Sequence, residues 1–359
     1  MALPIVIAHR GASGYVPEHT LASYYIAMQC GADFIEPDLV MTRDGVLIAR
    51  HENEIGGTTD VAEHPEFAAR RTRRCVDGQW IEGWFSEDFT LAEIKALRAR
   101  ERIPALRPGN AHFDGLFEIP TLAEILALLE GFEAQRAVRG RELTRVSRPV
   151  GVYPETKHPT YFAARGLALE PALVATLSQH GYRGRDPRVW LQSFEPGSLQ
   201  TLARLCELPR VQLLESAGAP FDLRHAGDAR TFADLMTNEG LAATAGYAQA
   251  IGPDKTLVIP RRPDGSLGAA TDLTQRAHSA GLQVHPWTFR AENHFLPTEL
   301  RRGEDDAGRG DLQTELLAYL RAGVDGFFTD QTDLGVAARR AFTQAPPETQ
   351  SSSARLNRS

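Results

Sequence analysis

Cysteine is scarce in this sequence. Cys30, Cys75 and Cys206 are the only three in 359 residues. They lie far apart and are odd in number, which excludes a fully paired intrachain disulfide framework and matches no metal-ligand spacing. They read as buried or incidental thiols. Long apolar runs are missing too, since none approaches the ~20 residues of a membrane-spanning helix. Nor is there an excess of positive charge. Lys and Arg number 39 against 46 Asp and Glu, for a net charge of −7, so bulk electrostatics give no reason to expect nucleic acid as a partner. No charged-then-apolar leader precedes the first strand. The expected compartment is periplasmic where a leader has been removed or omitted, and cytoplasmic otherwise. No oligomeric state is legible.

What is present is an ordinary core-forming composition, 42% hydrophobic and 24% charged, with one recurring arrangement. A helical-looking stretch ends in a small or polar residue plus Gly, and an apolar run follows at once. It occurs as "QCGADFIEPDLV" (29–40), "QHGYRGRDPRVWLQSF" (179–194), "SAGLQVHPWTF" (279–289) and "RAGVDGFFTD" (321–330). Glycine just past a helix takes the left-handed conformation that ends it, and the apolar run is the next buried strand. Amphipathic helices are predicted at 19–30, 121–134, 168–180, 196–206, 270–280 and 312–322. Alternating β/α units imply a parallel sheet, and their number favours a closed (β/α)₈ TIM barrel over an open doubly wound sheet. Residues 53–118 break the rhythm and are read as a small insertion subdomain after the early strands of a barrel domain spanning 1–344. Within it, Arg70, Arg71, Arg73 and Arg74 could hold an anionic substrate, although such a run is more often a solvated helix face. Residues 345–359 read as a disordered tail.

Reactive groups of α/β barrels sit at the carboxyl ends of strands, and four strand ends here finish on polar residues. The first carries His9 and Arg10. An imidazole can shuttle protons near neutrality and a guanidinium forks onto phosphate oxygens, although alone His9 reads more simply as a satisfied core histidine. In "FIEPDLV", Glu36 and Asp38 share one face ~6–7 Å apart. Two buried carboxylates repel unless a cation compensates them, so a divalent metal is the economical explanation. A third strand, 46–50, ends on His51, a possible second proton carrier. The fourth, "PVGVYPETKHP", presents Glu155 and Lys157 on one face. Glu155 would complete an all-oxygen set suited to Mg²⁺ or Ca²⁺ rather than zinc, and Lys157 would balance a phosphate charge. Later ends offer Gln192, Phe194, Glu195, Trp287, Arg290, Asn293, Asp330 and Asp333. The aromatic groups could wall an alcohol substituent, and Asp330 is read as the N-cap of the last helix.

Taken together and in order, "AHRGASGYVPEHT", "IEPDLVMTRDGVLIARHE", "PETK", "VHPWTFRAEN" and "GVDGFFTDQTD" resemble the glycerophosphodiester phosphodiesterases, most closely the longer, bacterial periplasmic type. The resemblance covers roughly residues 4–340. It implies a (β/α)₈ barrel with a small insertion and one divalent cation, Ca²⁺ or Mg²⁺, held by Glu36, Asp38 and Glu155. His9 and His51 would be general acid and base, with Arg10 steadying the phosphate. Lys157 would lie near the phosphate, with Phe194 and Trp287 against the substrate. His19 stands where many relatives have Asn, and the longer type often carries His. The implied reaction converts a small-molecule glycerophosphodiester, such as glycerophosphocholine or glycerophosphoethanolamine, to sn-glycerol 3-phosphate and an alcohol. Two other readings stay open: a lysophospholipase D-like or sphingomyelinase D-like lipid phosphodiesterase, and a non-catalytic glycerophosphodiester-binding module. A metal-dependent amidohydrolase is disfavoured because strand one lacks a His-x-His pair.

Overall fold

The computed structural model describes residues 3–139 and 149–344. Its strands are β1 (Ile5–His9), β2 (Phe34–Glu36), β3 (Asp38–Met41), β4 (Leu47–Ala49), β5 (Thr72–Val76), β6 (Gln79–Gly83), β7 (Gly151–Val152), β8 (Glu155–Thr156), β9 (Leu191–Ser193), β10 (Arg210–Leu214), β11 (Ala250–Pro253), β12 (Gln283–Val284) and β13 (Gly326–Thr329). Parallel pairing runs β13-β1-β2-β7 in one sheet and β12-β11-β10-β9-β8-β3 in another. Parallel bridges Val152↔Val189 and Phe289↔Thr329 join the two arcs. The result is the expected (β/α)₈ barrel. It has eight staves, two of them interrupted: β2 with β3, and β7 with β8.

The first interruption has a simple cause. "FIEPDLV" reads as one strand, but Pro37 has no N–H to give the ladder, and the stave breaks there. β2 pairs with β1 and β7, whereas β3 pairs with β8 and, antiparallel, with β4. The hairpin β3–β4 departs from the all-parallel rhythm. Its Asp44–Gly45 turn places Gly45 at φ +78°.

The helix–glycine–strand signal holds. Gly31, Gly181, Gly281 and Gly323 all have φ between +81° and +94°, the conformation that glycine adopts without a Cβ clash. The six predicted helices occur as Leu21–Cys30, Leu122–Arg139, Leu169–Gln179, Pro196–Leu205, Leu273–Ser279 and Leu312–Arg321. Thr20 starts the first of them through a capping box with Ser23. Ile7, Phe34, Tyr153, Val211, Ala250 and Phe328 fill the barrel interior. The larger of these side chains gain about 1.5–3 kcal/mol each from burial.

Between β4 and the helix Leu122–Arg139, the chain forms short helical turns and the antiparallel ribbon β5–β6. The arginine cluster is not a solvated helix face, because Thr72–Val76 is a strand. Arg70 pairs with Glu93 (2.5 Å), Arg71 with Glu82 (2.6 Å), and Arg74 with Glu87 and Asp88 (3.0 and 2.6 Å), while Arg73 lies over Trp80. Its charge is spent locally. The cysteines are free, Cys30 and Cys206 half-buried and Cys75 exposed, so none is a buried thiol. Residues 345–359 lie outside the described residues. No helix among the described residues is long and apolar enough to cross a membrane.

Candidate active site

The carboxyl ends of the staves surround a cavity of about 490 Å³, the position at which barrel enzymes carry their chemistry. His9, Arg10, Glu36, Asp38, His51, Glu155, Lys157, Phe194 and Trp287 all line it. The structure therefore brings these nine residues to one place.

At the floor, Glu36, Asp38 and Glu155 are 1%, 1% and 6% exposed, and one oxygen of each lies within 4.8 Å of the others. Glu36 accepts hydrogen bonds from the Arg10 backbone N–H (2.8 Å) and Gln192 Nε2 (2.9 Å). Asp38 Oδ2 faces His19 Nε2 at 3.0 Å and Arg10 Nε at 3.1 Å, and Lys157 Nζ donates to Glu155 at 2.7 Å. Burial, with the charges of Asp38 and Glu155, pushes the Glu36 carboxyl well above its ordinary range. Burial pushes Glu155 up to about 8 against the pull of Lys157. Burial acts the same way on Asp38, but His51, Lys157, the His19 hydrogen bond and Arg10 outweigh it and hold Asp38 well below its usual value. Two of three buried acids thus resist ionisation, and the donor set is all oxygen. Both features fit a hard divalent cation.

The two histidines line the same cavity as these acids, each held by a carboxylate. His9 Nδ1 lies 2.7 Å from Asp330 Oδ1, and His51 Nδ1 lies 2.5 Å from Glu52 Oε1. Burial, helped by Arg10, lowers His9 to about 4. Burial, helped by Arg10 and Lys157, lowers His51 to about 3. Both rings are therefore neutral near pH 7. A neutral imidazole that donates from Nδ1 keeps the Nε2 lone pair for proton transfer. His51 Nε2 sits 3.3 Å from Lys157 Nζ.

Asp330 corrects an expectation. It is not the cap of the last helix, which begins at Thr332. Its carboxylate is occupied by His9, by Arg107 Nη2 (2.5 Å) and by Arg290 Nε (2.8 Å). Asn293 and Asp333 are also elsewhere: Asn293 holds the backbone of Arg302 and Asp305, and Asp333 accepts from Tyr15. Sequence reasoning missed Glu52, Arg102 and Arg107. Glu52 had a signal in its adjacency to His51, whereas the two arginines had none. His19 is fully buried between the Tyr24 hydroxyl (2.7 Å) and Asp38.

The loop after β1 packs tightly. Arg10 and Gly11 have φ of +57° and +83°, and a Cβ on Gly11 would lie 2.7 Å from the Ser23 backbone carbon. Part of the cavity wall is aromatic and acidic. Phe194 meets Trp287 edge-on at 5.7 Å and Phe232 at 6.2 Å, beside Asp77, Glu195, Glu215 and Asp254. Burial raises Glu195 to about 8, with Asp222 and Asp77 adding to it, and burial beside Asp254 raises Glu215.

Compared with known families, residues 9–334 match the model of the Glycerophosphoryl diester phosphodiesterase family. The chain belongs to this family. It is 35% identical over 343 residues to a glycerophosphodiester phosphodiesterase of Arabidopsis thaliana, covering 92% of this chain and 84% of that protein. It is 33% identical over 344 residues to a glycerophosphodiester phosphodiesterase of Bacillus subtilis, covering 94% and 87%. In fold it is similar to an Oleispira antarctica phosphodiesterase solved with the product sn-glycerol-3-phosphate. That likeness has a TM-score of 0.57 at 20% identity, over 94% of this chain and 96% of that one. The family is one of phosphodiester hydrolases.

Proposed function

We propose that this chain is a metal-dependent glycerophosphodiester phosphodiesterase that uses His9 and His51 as its acid–base pair. Its products are sn-glycerol 3-phosphate and a free alcohol. The observation that carries the reading is the pair of carboxylate-held imidazoles in the same cavity as one buried acidic trio. The insertion of residues 53–118 and His19 speak for the longer, bacterial periplasmic type of the family.

A phosphodiester resists attack because its anion repels nucleophiles and its alkoxide leaves poorly. Arg10 and Lys157 offset the anionic charge in a site largely shielded from water. A divalent cation held by Glu36, Asp38 and Glu155 would supply Lewis acidity toward a phosphate oxygen and the adjacent glycerol hydroxyl. One histidine Nε2 takes the proton of that hydroxyl as its oxygen bonds to phosphorus. The other histidine, protonated as the phosphate anion raises its pKa, gives a proton to the departing alcohol oxygen. The resulting cyclic phosphate is then opened by water with the two roles exchanged.

The aromatic and acidic part of the wall favours cationic alcohols. Aromatic faces attract an ammonium group, and the carboxyl groups of Asp77, Glu195, Glu215 and Asp254 line the same cavity, where a bound cation favours their charged form. Glycerophosphocholine and glycerophosphoethanolamine are the expected substrates. A panel of these two, a lysophospholipid and an analogue lacking the hydroxyl next to the phosphate tests this by product release. The first two yield sn-glycerol 3-phosphate and the deoxy analogue stays intact. Equal turnover of the analogue would mean direct attack by water. Faster turnover of the lysophospholipid would make the chain a lipid phosphodiesterase, and no product from any of them would leave a binding module.

A further inference from the structure

The carboxylates that hold the two histidines follow different strands, β4 and β13, yet one loop between β6 and the helix Leu122–Arg139 grips both. Arg102 forks onto Glu52, with Nη1 at 2.9 Å from Oε1 and Nη2 at 2.7 Å from Oε2. Its Nε and Nη2 also reach Glu18 at 2.9 and 2.6 Å, and Glu18 in turn accepts from Arg10 Nη1 at 2.9 Å. A few residues on, Arg107 reaches Asp330 Oδ2 at 2.5 Å and Glu292 Oε1 at 2.6 Å. The loop is itself pinned. Arg107 Nη1 and Asn110 Nδ2 both donate to the Ser13 carbonyl at 2.9 Å, and Glu101 accepts from Asn110 and from the Ile103 N–H. Arg107 is 7% exposed, and the Asp330 side chain is 3% exposed.

We infer that Arg102 and Arg107 are positioning residues, a two-armed brace through which the insertion sets the orientation and tautomer of His51 and His9 separately. The inference rests on the proposed roles of those histidines. Its physical basis is the chain of contacts. A carboxylate fixes which ring nitrogen carries the proton only while its own direction is fixed, and a planar guanidinium holds two carboxylates in set directions with a rigid fork of donors, whereas the rotatable ammonium of lysine fixes direction less well. Arg107 touches no other part of the acid–base pair. Arg102 also steadies Glu18 and hence Arg10, so its loss affects phosphate binding as well.

The brace is tested with Arg107→Gln and Arg102→Gln, assayed on glycerophosphocholine and followed by side-chain ¹⁵N NMR of histidine-labelled protein. In the wild type both His9 and His51 are expected to carry their proton on Nδ1, toward Asp330 and Glu52. Arg107→Gln is expected to lower kcat about 10–100-fold, the usual cost of losing such an orienting contact, with KM changed less than about threefold. His9 then becomes a mixture of tautomers while His51 keeps its own. Arg102→Gln does the converse, disturbing His51 and sparing His9, and raises KM as Arg10 loosens. Should either glutamine variant fail to fold, the lysine variant replaces it, with a smaller loss of kcat and the same one-sided tautomer change. Folded variants that keep both tautomers, or that disturb both rings alike, would overturn the brace, whatever their activity. If His9→Ala and His51→Ala are inactive in the same assay, that failure leaves the acid–base reading standing. If those alanine variants are active, the acid–base reading falls instead, and the tautomer data still decide the brace.

Discussion

Replacing His9 by Ala lowers kcat on glycerophosphocholine about 10²–10⁴-fold, and His51→Ala does the same, the range for removing one proton-transfer group. The reason is geometric. Each ring has Nδ1 taken by a carboxylate, Asp330 or Glu52, and each lines the cavity that holds the acidic trio. Their low pKa values, about 4 and about 3, make both neutral in the free chain and available as bases. Because the two act in the same step, the double variant is expected to lose much less than the product of the single losses. Neither histidine belongs to the trio, so both variants keep the thermal stabilisation that a divalent cation gives the wild type. Steady-state kinetics with the cation present and a melting curve with and without it check both halves. Near-normal turnover of His9→Ala would remove the proton-transfer assignment.

Stripping divalent cations abolishes turnover, and adding Ca²⁺ or Mg²⁺ restores it while raising the melting temperature. At a cation concentration a hundred times the dissociation constant, the stabilisation is about 2.7 kcal/mol. Glu155→Gln separates the two effects. The amide oxygen can still accept from Lys157, which donates to Glu155 at 2.7 Å in the wild type. Its NH₂ then faces Asp38, as the protonated Glu155 carboxyl does in the cation-free wild type. Glu155 is pushed up to about 8, so near pH 7 the cation-free wild type must take up a proton there on folding, a cost the neutral amide avoids, and the cation-free variant melts higher by a margin of about 0.5–2 kcal/mol. It shows no cation-dependent rise in melting temperature, and its activity stays at the background of the stripped wild type. A Glu155→Gln variant with full activity and a full cation shift would place the metal elsewhere.

Much of this site was legible because strand chemistry is local. The two-residue period places Glu36 with Asp38, and Glu155 with Lys157, without knowledge of the fold. The polar strand ends then gather because a barrel collects the ends of all its strands at one mouth. Two local readings failed where partners are distant. Asp330 precedes a helix, the commonest setting for a cap, but its partners His9 and Arg107 are 321 and 223 residues away. The Arg70–Arg74 charge run carries no period, so nothing in it announced a strand facing the acids and aromatic rings of its own subdomain. Arg102 and Arg107 sit in "ERIPALRPG", a loop with no pattern of its own. Their meaning comes from Glu18, Glu52, Glu292 and Asp330, contributed by other parts of the chain.

Anomalous diffraction from crystals soaked in Mn²⁺, a scatterer that can stand in for Mg²⁺ or Ca²⁺, tests the central claim most directly. One peak is predicted, about 2.0–2.6 Å from oxygens of Glu36, Asp38 and Glu155, with His9 and His51 on either side and neither ring nitrogen bound to it. A peak held by an imidazole, or no peak among these three carboxylates in crystals of the active protein, would contradict it.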